Sequence, residues 1–333
     1  MILTIGAFDG FHRGHALLLE RAGALAASRR TDWGVVTFEP HPGVFLGKPG
    51  ATLFTSGERE LIRRVLKIPR LFVLRFDREL QELSPETFWR RLKATFNVEG
   101  VVMGRDFRFG RDAAGTAESL RAMCQADGLP AEILDLASRG GVRCSSTEVR
   151  RSLLAGDAAH AAEILGFPWF FRGPVVHGDQ RGRTMNFPTA NVDLSAVGTR
   201  PGDGVYAAAV LVQGEWRCGA LSVGSNPTFA DAAPGGPQAE SASRVEVFLL
   251  DFQGELYGQD ILVFLLKQLR PMIRFAGAAE LSEQIARDVL RCRDIFRGEM
   301  EARWAIFDAF RTCLADMEAL GGFTPNIRRL AEC

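Results

Sequence analysis

Up to about Gly156 the chain alternates short apolar runs with stretches of helical periodicity. The apolar runs are Ile2–Ile5, Gly34–Phe38, Leu71–Arg75, Val101–Met103 and Ile133–Leu136. The periodic stretches are Ala16–Ala27, Glu58–Leu66, Glu86–Phe96, Ala117–Ala126 and Glu148–Leu154. Strands apolar at nearly every position are buried on both faces, so this half predicts a doubly wound parallel α/β sheet. Such sheets bind ligands at the carboxyl ends of their strands. From about Gly173 the rhythm changes. Pro174–His177, Val205–Val212, Trp216–Val223, Val245–Phe252 and Ile261–Leu266 follow one another without helices, punctuated by Gly, Pro, Asn and Asp. That pattern predicts an antiparallel barrel or sandwich. A helix is expected at Ala278–Phe296, and Ala230–Ser243 reads as a long loop between two strands. No internal repeat of about 20–50 residues is visible.

Composition narrows the classes. At 333 residues two domains are expected, with the join near Gly156–Pro168. The 40 basic and 40 acidic residues cancel, which gives a nucleic-acid or membrane-surface partner no electrostatic footing. No apolar run reaches the roughly 20 residues of a membrane span, and the N-terminus lacks the basic region of a signal peptide. The six cysteines are scattered without a C-x-x-C pair, as expected of reduced thiols in a cytoplasmic protein.

Two of only five histidines, His12 and His15, flank Gly14 in GAFDGFHRGH, where the first strand gives way to the first helix. With Ile2–Ile5 as a strand, Gly6–Gly14 is the loop at its carboxyl end and His15 opens the helix. A helix start presents unpaired N–H groups that favour phosphate, and glycines let backbone approach it closely. Both imidazoles then aim donors at one anion. The bland alternative is a glycine-rich turn with surface histidines. Zinc is a weaker rival, since no third Cys or His stands nearby. GVFLGKP fails the P-loop spacing.

GAFDGFHRGH resembles the signature of the H-x-G-H nucleotidyltransferases. VVTFEPHP, VVMGRDFRFG and SSTEVRRSLLAGD are similar to the adenylyltransferase half of bacterial bifunctional riboflavin kinase/FAD synthetases. VVHGDQRGRTMNFPTANVDL, PGDGVYAA, SVGSNPTF and VEVFLLDFQGELYG follow in the order of the kinase half. The likeness covers about residues 2–295. It implies an FMN adenylyltransferase domain at 1–157, a linker at 158–172, a riboflavin kinase domain at 173–296 and a helical extension at 297–333.

The resemblance implies that the first half joins FMN to the α-phosphorus of ATP, releasing pyrophosphate. It places ATP at Gly6, Phe8, Asp9, His12, Gly14 and His15, with a second phosphate site at Ser145, Ser146, Thr147 and Arg150. Ser145 and Glu148 also fit a capping box, with Ser145 as N-cap. Arg150 is harder to explain by capping; a guanidinium suits pyrophosphate. Flavin is implied near His41, Pro42, Asp106, Phe109 and Asp157, though either Phe107 or Phe109 is expected to be core. Asp106 stands where the family often has Asn, an unhelpful charge near a phosphate.

In the second half the resemblance implies transfer of the γ-phosphate of ATP to riboflavin. Thr189 and Asn191 of PTAN would hold Mg²⁺, and Glu246 would be the base. Gly178, Arg181, Gly182 and Arg183 would fold over phosphates. Asn186, Phe248 and Met272 depart from the family's Gly, His and Glu, which leaves an adenylyltransferase with an impaired kinase as an alternative. Transfer to a different phosphate is disfavoured by the second half, and a non-catalytic flavin-binding protein has no need for His12, His15, Arg150, Thr189, Asn191 and Glu246 together. The family's short leader is not seen before Ile2. Met300, Trp304, Phe307, Phe310, Leu314 and Met317 recur at helical spacing, as in a helix packed on the barrel; the rival is a subunit contact. Riboflavin, FMN and ATP are the implied partners, and the oligomeric state stays open.

Overall fold

A computed structural model describes residues 1–48, 52–135, 144–176, 189–192, 194, 198–224, 245–322 and 327–331. The sequence expectations at Leu136, His177, Gly178, Arg181, Gly182, Arg183, Asn186, Pro188 and Ala230–Ser243 lie outside the described residues. The chain divides into two compact units, one of Met1–Ser146 with Asp316–Cys333, the other of Thr147–Ala315.

The elements of the first stretch are β1 (Ile2–Ile5), α1 (Arg13–Arg29), β2 (Trp33–Glu39), α2 (Pro42–Phe45), α3 (Ser56–Val65), β3 (Leu71–Arg75), α4 (Arg78–Gln81), α5 (Pro85–Phe96), β4 (Gly100–Gly104), β5 (Arg108–Phe109), β6 (Gly115–Thr116), α6 (Ala117–Ala126) and β7 (Ala131–Leu134). Next come α7 (Ser146–Leu154), α8 (Ala158–Leu165), β8 (Phe170–Val176), β9 (Thr189–Val192), β10 (Gly204–Val212), β11 (Glu215–Val223), β12 (Val245–Leu249), β13 (Asp260–Arg270) and α9 (Ala278–Ala319). Last comes β14 (Ile327–Arg328), which belongs to the first unit.

The first unit holds a parallel sheet in the order β14-β3-β2-β1-β4-β7. Alternation along the strands sends Leu3, Ile5, Val36, Phe38, Val101 and Met103 into a cluster with Phe88, Trp89 and Leu92 of α5 and Leu120 of α6. Helix α1 packs on β1, β2 and β4 through buried residues outside that cluster, among them Leu18 and Ala22. Both faces are thereby covered, as continuous apolar strands require. Capping boxes at Thr55/Glu58 and Thr116/Ser119 start α3 and α6, and the Ser84 hydroxyl caps α5.

The second unit is a closed antiparallel barrel in the order β10-β11-β12-β9-β8-β13. Closure leaves no open sheet edge. The stretch 158–172 is not a bare connection: it contains α8, capped by the Asp157 carboxylate, and the start of β8. The helix expected at 278–296 runs on through the extension as α9, with a break in helical geometry at Arg303 (φ −130°, ψ 21°). Phe307 and Phe310 are fully buried against Phe264 of β13, and Phe310 also meets Phe170 of β8. The extension's apolar stripe therefore packs on the barrel through Phe307 and Phe310, whereas Trp304 of the same stripe is 51% exposed.

Candidate active site

The corner after β1 is built from buried anchors. Gly6 stays with the sheet through its N–H to Val36 O, 3.1 Å. The Thr37 hydroxyl then donates to Ala7 O at 2.7 Å, and the Leu53 N–H donates to Asp9 Oδ1 at 2.8 Å. Phe8 and Phe11 are almost fully buried although both have left-handed backbone, at φ 42° and 46°. That conformation is uncommon for aromatic residues and marks a loop whose shape is imposed by its surroundings. Asp9 thus has a structural duty besides the nucleotide role that the sequence suggests.

Helix α1 begins at Arg13, two residues earlier than expected, with His12 as its N-cap residue. The His12 carbonyl accepts from the His15 and Ala16 N–H groups, and its side chain makes no cap bond. His12 and His15 therefore stand at N-cap and N3, one turn apart on one side, with ring centroids 3.8 Å apart. Phe8 closes the stack, 4.6 Å from the His15 ring. Gly14 makes this possible. A Cβ there would sit 3.0 Å from His12 Nδ1 and 3.2 Å from Cys144 O. Cys144, just before Ser145, thus lies against the start of α1.

Burial pushes the His12 pKa down to about 4, and burial plus the neighbouring His12 holds His15 well below the usual imidazole value. Both rings are neutral at pH 7. The Nδ1 atoms of both are buried without a partner among the described residues. Unpaired buried polar atoms are costly and uncommon, and they mark where a ligand group fits.

Beneath the corner lies a network that the charge pattern hid. Arg59 is buried and donates to Thr37 Oγ1 and Phe38 O, both at 3.3 Å, to Ser56 Oγ at 3.1 Å, and to the Glu39 carboxylate. In the sequence, ERELIRR is part of the periodic stretch Glu58–Leu66, and its charges do not mark Arg59 as buried. The signal that could have exposed it is the capping box before it, which fixes the helix phase.

The remaining residues of the first half separate by role. His41 Nδ1 accepts the Gly43 N–H at 3.0 Å and caps α2, where Pro42 is the first residue. Asp106 is exposed between β4 and β5. Phe109 is buried against Phe88 and Gly115, whereas Phe107, stacked on it, is the more exposed ring. Ser145 and Ser146 fall in the first unit, Thr147 and Arg150 in the second, and Arg150 Nη2 donates to Thr147 Oγ1 at 3.4 Å. Glu148 pairs with Arg151 and lies 3.6 Å from His160 Nε2. Asp157 accepts the His160 N–H at 3.0 Å.

In the barrel, Val245, Val247 and Leu249 are buried, so Glu246 and Phe248 face the other side of β12. Glu246 is directly opposite Asn191 on β9 and Ser222 on β11, and Phe248 is opposite Thr189. Directly opposed residues share a face, so a carboxylate and an amide oxygen stand together there. The Ser222 hydroxyl reaches Met272 Sδ at 3.9 Å. The Glu-to-Met departure thus touches the neighbour of Glu246.

Comparison with known proteins matches this two-part design. The FAD synthetase family model covers residues 1–148 and the riboflavin kinase model covers 165–296. The bifunctional riboflavin kinase/FMN adenylyltransferase of Escherichia coli is 38% identical over 89% of this chain and 92% of its own length. Those of Bacillus subtilis and Listeria monocytogenes are 35% and 33% identical over 86% and 89% of this chain, and 90% and 92% of their own lengths. A crystal structure from Streptococcus pneumoniae, described as a macrolide-efflux protein, is 31% identical with a TM-score of 0.77, covering 88% of this chain and 93% of that one. Among the described residues no helix is long and apolar enough to cross a membrane. With both halves matched in order, the chain belongs to the bifunctional riboflavin kinase/FMN adenylyltransferase family.

Proposed function

We propose that this chain phosphorylates riboflavin to FMN with ATP and then adenylylates FMN to FAD with a second ATP, releasing pyrophosphate. The observation that carries the reading is the stacked, neutral His12–His15 pair at the start of α1, with its unpaired nitrogens. An FMN phosphate oxygen attacks the α-phosphorus while the bond to pyrophosphate breaks. Alignment and charge stabilisation suffice, since no covalent enzyme intermediate is needed. Neutral imidazoles donate N–H groups to the developing charge, and the α1 amides add theirs. Ser145, Ser146, Thr147 and Arg150 receive the remaining phosphates in this reading, Gly6, Phe8, Asp9 and Gly14 shape the ATP loop, and His41, Pro42, Asp106 and the Phe107–Phe109 pair border the flavin.

In the kinase half Glu246 accepts the riboflavin hydroxyl proton as the γ-phosphate is transferred. The pairing of Asn191 with Glu246 gives oxygen donors on one face, which suits Mg²⁺. Asn191, with Thr189 two residues before it, would hold the ion, which supplies charge neutralisation at the phosphate oxygens. Gly178, Arg181, Gly182 and Arg183 would close over the nucleotide. We divide the chain as adenylyltransferase 1–157, connection 158–172, kinase 173–296 and extension 297–333, and place it in the cytoplasm, where its scattered thiols stay reduced.

The Met272–Ser222 contact favours a second reading, in which the kinase half is weak and adenylyl transfer dominates. One experiment separates them. The protein is incubated with ATP and Mg²⁺, once with riboflavin and once with FMN, and the flavins are resolved by chromatography. FAD from both supports two working halves. FAD from FMN alone supports the second reading, and no new flavin overturns both.

A further inference from the structure

The segment 297–333 lies outside both family models, yet part of it enters the sheet of the first unit. β14 pairs in parallel with β3, Ile327 with Val73 and Arg328 with Leu74. Leu330 is buried in the cluster of α5 and α6, the Ala331 N–H donates to Thr95 Oγ1 at 3.0 Å, and the Arg328 guanidinium lies 5.5 Å over the Phe72 ring. These anchors fix the residues between them. Ile327 and Arg329, two apart, line a cleft of about 520 Å³ with Glu39, Pro40 and Arg75.

The cleft sits at the carboxyl ends of β2 and β3, where this fold class places ligands. Its volume is within the range of small-molecule sites, about 300–1,000 Å³. Pro40 and Ile327 give it apolar surface. Arg75 and Arg329 both pair with the one carboxylate of Asp77, at 3.5 and 3.8 Å, so two guanidiniums share a single anion and keep donors to spare. Glu39 is already held by Arg59 and Ser56. The lining therefore offers guanidinium donors on a positive balance, one carboxylate acceptor and a flat apolar wall. That set fits the dioxopyrimidine edge of an isoalloxazine, whose two carbonyl oxygens accept and whose imide N–H donates.

Resting on the functional reading above, we infer that the C-terminal segment forms one wall of the FMN site of the adenylyltransferase half, with Arg329 donating to the flavin carbonyl oxygens. The span agrees. Neighbouring strands are about 4.8 Å apart, so β1 and β3 are separated by about 10 Å. A flavin with its phosphate at His12 and His15 crosses that distance through its ribityl chain and ring, passing His41 and Pro42 next to Pro40.

The test uses the full chain, with FAD formation from FMN and ATP followed as each substrate is varied. Arg329→Ala should raise KM for FMN about tenfold, the loss of one hydrogen bond to a charged donor, with kcat and KM for ATP within about twofold. Arg329→Lys should restore part of that loss, and Ile327→Ala should raise the same KM more weakly. An unchanged KM for FMN in Arg329→Ala, or equal rises for FMN and ATP, overturns the inference and leaves the segment a structural strand. Wild-type protein that makes no FAD from FMN overturns the functional reading, and this inference with it.

Discussion

His12 and His15 lie ring upon ring, their centroids 3.8 Å apart and their planes 16° from parallel. Such stacking is compatible with neutral imidazoles and disfavoured once both are charged. In the folded protein the His12 pKa is down to about 4 and that of His15 is also well below the ordinary imidazole value. The unfolded chain therefore binds protons first on acidification. Stability is fully present above about pH 6.5 and is lost as pH falls through about 4, with a slope of at most about 1.4 kcal/mol per pH unit for each histidine. Urea unfolding between pH 7 and 4 should show this decline, and His12→Asn should flatten it. An identical pH profile in the variant would refute the assignment.

Gly14→Ala tests the packing of the pair separately. Alanine is favoured over glycine inside a helix by about 1 kcal/mol. Its Cβ would meet His12 Nδ1 at 3.0 Å and Cys144 O at 3.2 Å. The expected result is a melting temperature close to wild type with FAD formation reduced at least about tenfold. Full activity would mean that the ring geometry is unimportant.

Arg59→Ala should be among the most damaging substitutions in the first unit. It removes the Glu39 carboxylate's guanidinium partner and the donor to the Phe38 carbonyl, although Ser56 still holds Glu39, whose side chain is 32% exposed. Losing hydrogen bonds to a buried charged group of this kind costs about 2–3 kcal/mol. Chemical denaturation would measure it, and a loss below about 1 kcal/mol would show that the network contributes little.

Glu246→Gln should stop FMN formation from riboflavin while FAD formation from FMN continues. His15→Ala should do the reverse. Chromatography of the flavins reads both, and loss of both activities in either variant would contradict two independent sites.

Phe109→Ala should cost about 3–5 kcal/mol, because its ring is buried against Phe88 and Gly115. Phe107→Ala should cost clearly less, as the more exposed ring of the pair. Thermal unfolding of the two variants decides between them.

The parallel sheet was legible because its central strands are apolar at nearly every step. Ile2–Ile5, Leu71–Arg75 and Ala117–Ala126 appear in the structure with the bounds the pattern gives. β14 escaped because Ile327–Arg328 is too short and too polar to register as a strand, and only its pairing with β3 defines it. Helix α8 escaped because the alanine-rich stretch after Asp157 falls where the rhythm changes and looks like a connection. At the corner, the motif identified the histidines, but no one-dimensional pattern encodes their burial, their stacking or the Arg59 support. Those arise from long-range packing, as with Asp9 and the Leu53 amide. Of the Phe107–Phe109 pair, alternation showed that the two differ without saying which faces inward.

The β3–β14 pairing also has a temporal side. Roughly 250 residues separate the two strands, and synthesis proceeds at about 5–20 residues per second. For some tens of seconds on the ribosome, β3 is therefore the outermost strand of its sheet, its backbone hydrogen-bonding groups open to any other extended segment. The nascent first domain is completed only when the barrel has already emerged, so slow translation or truncation ahead of Ile327 would expose a sticky edge rather than merely remove a tail.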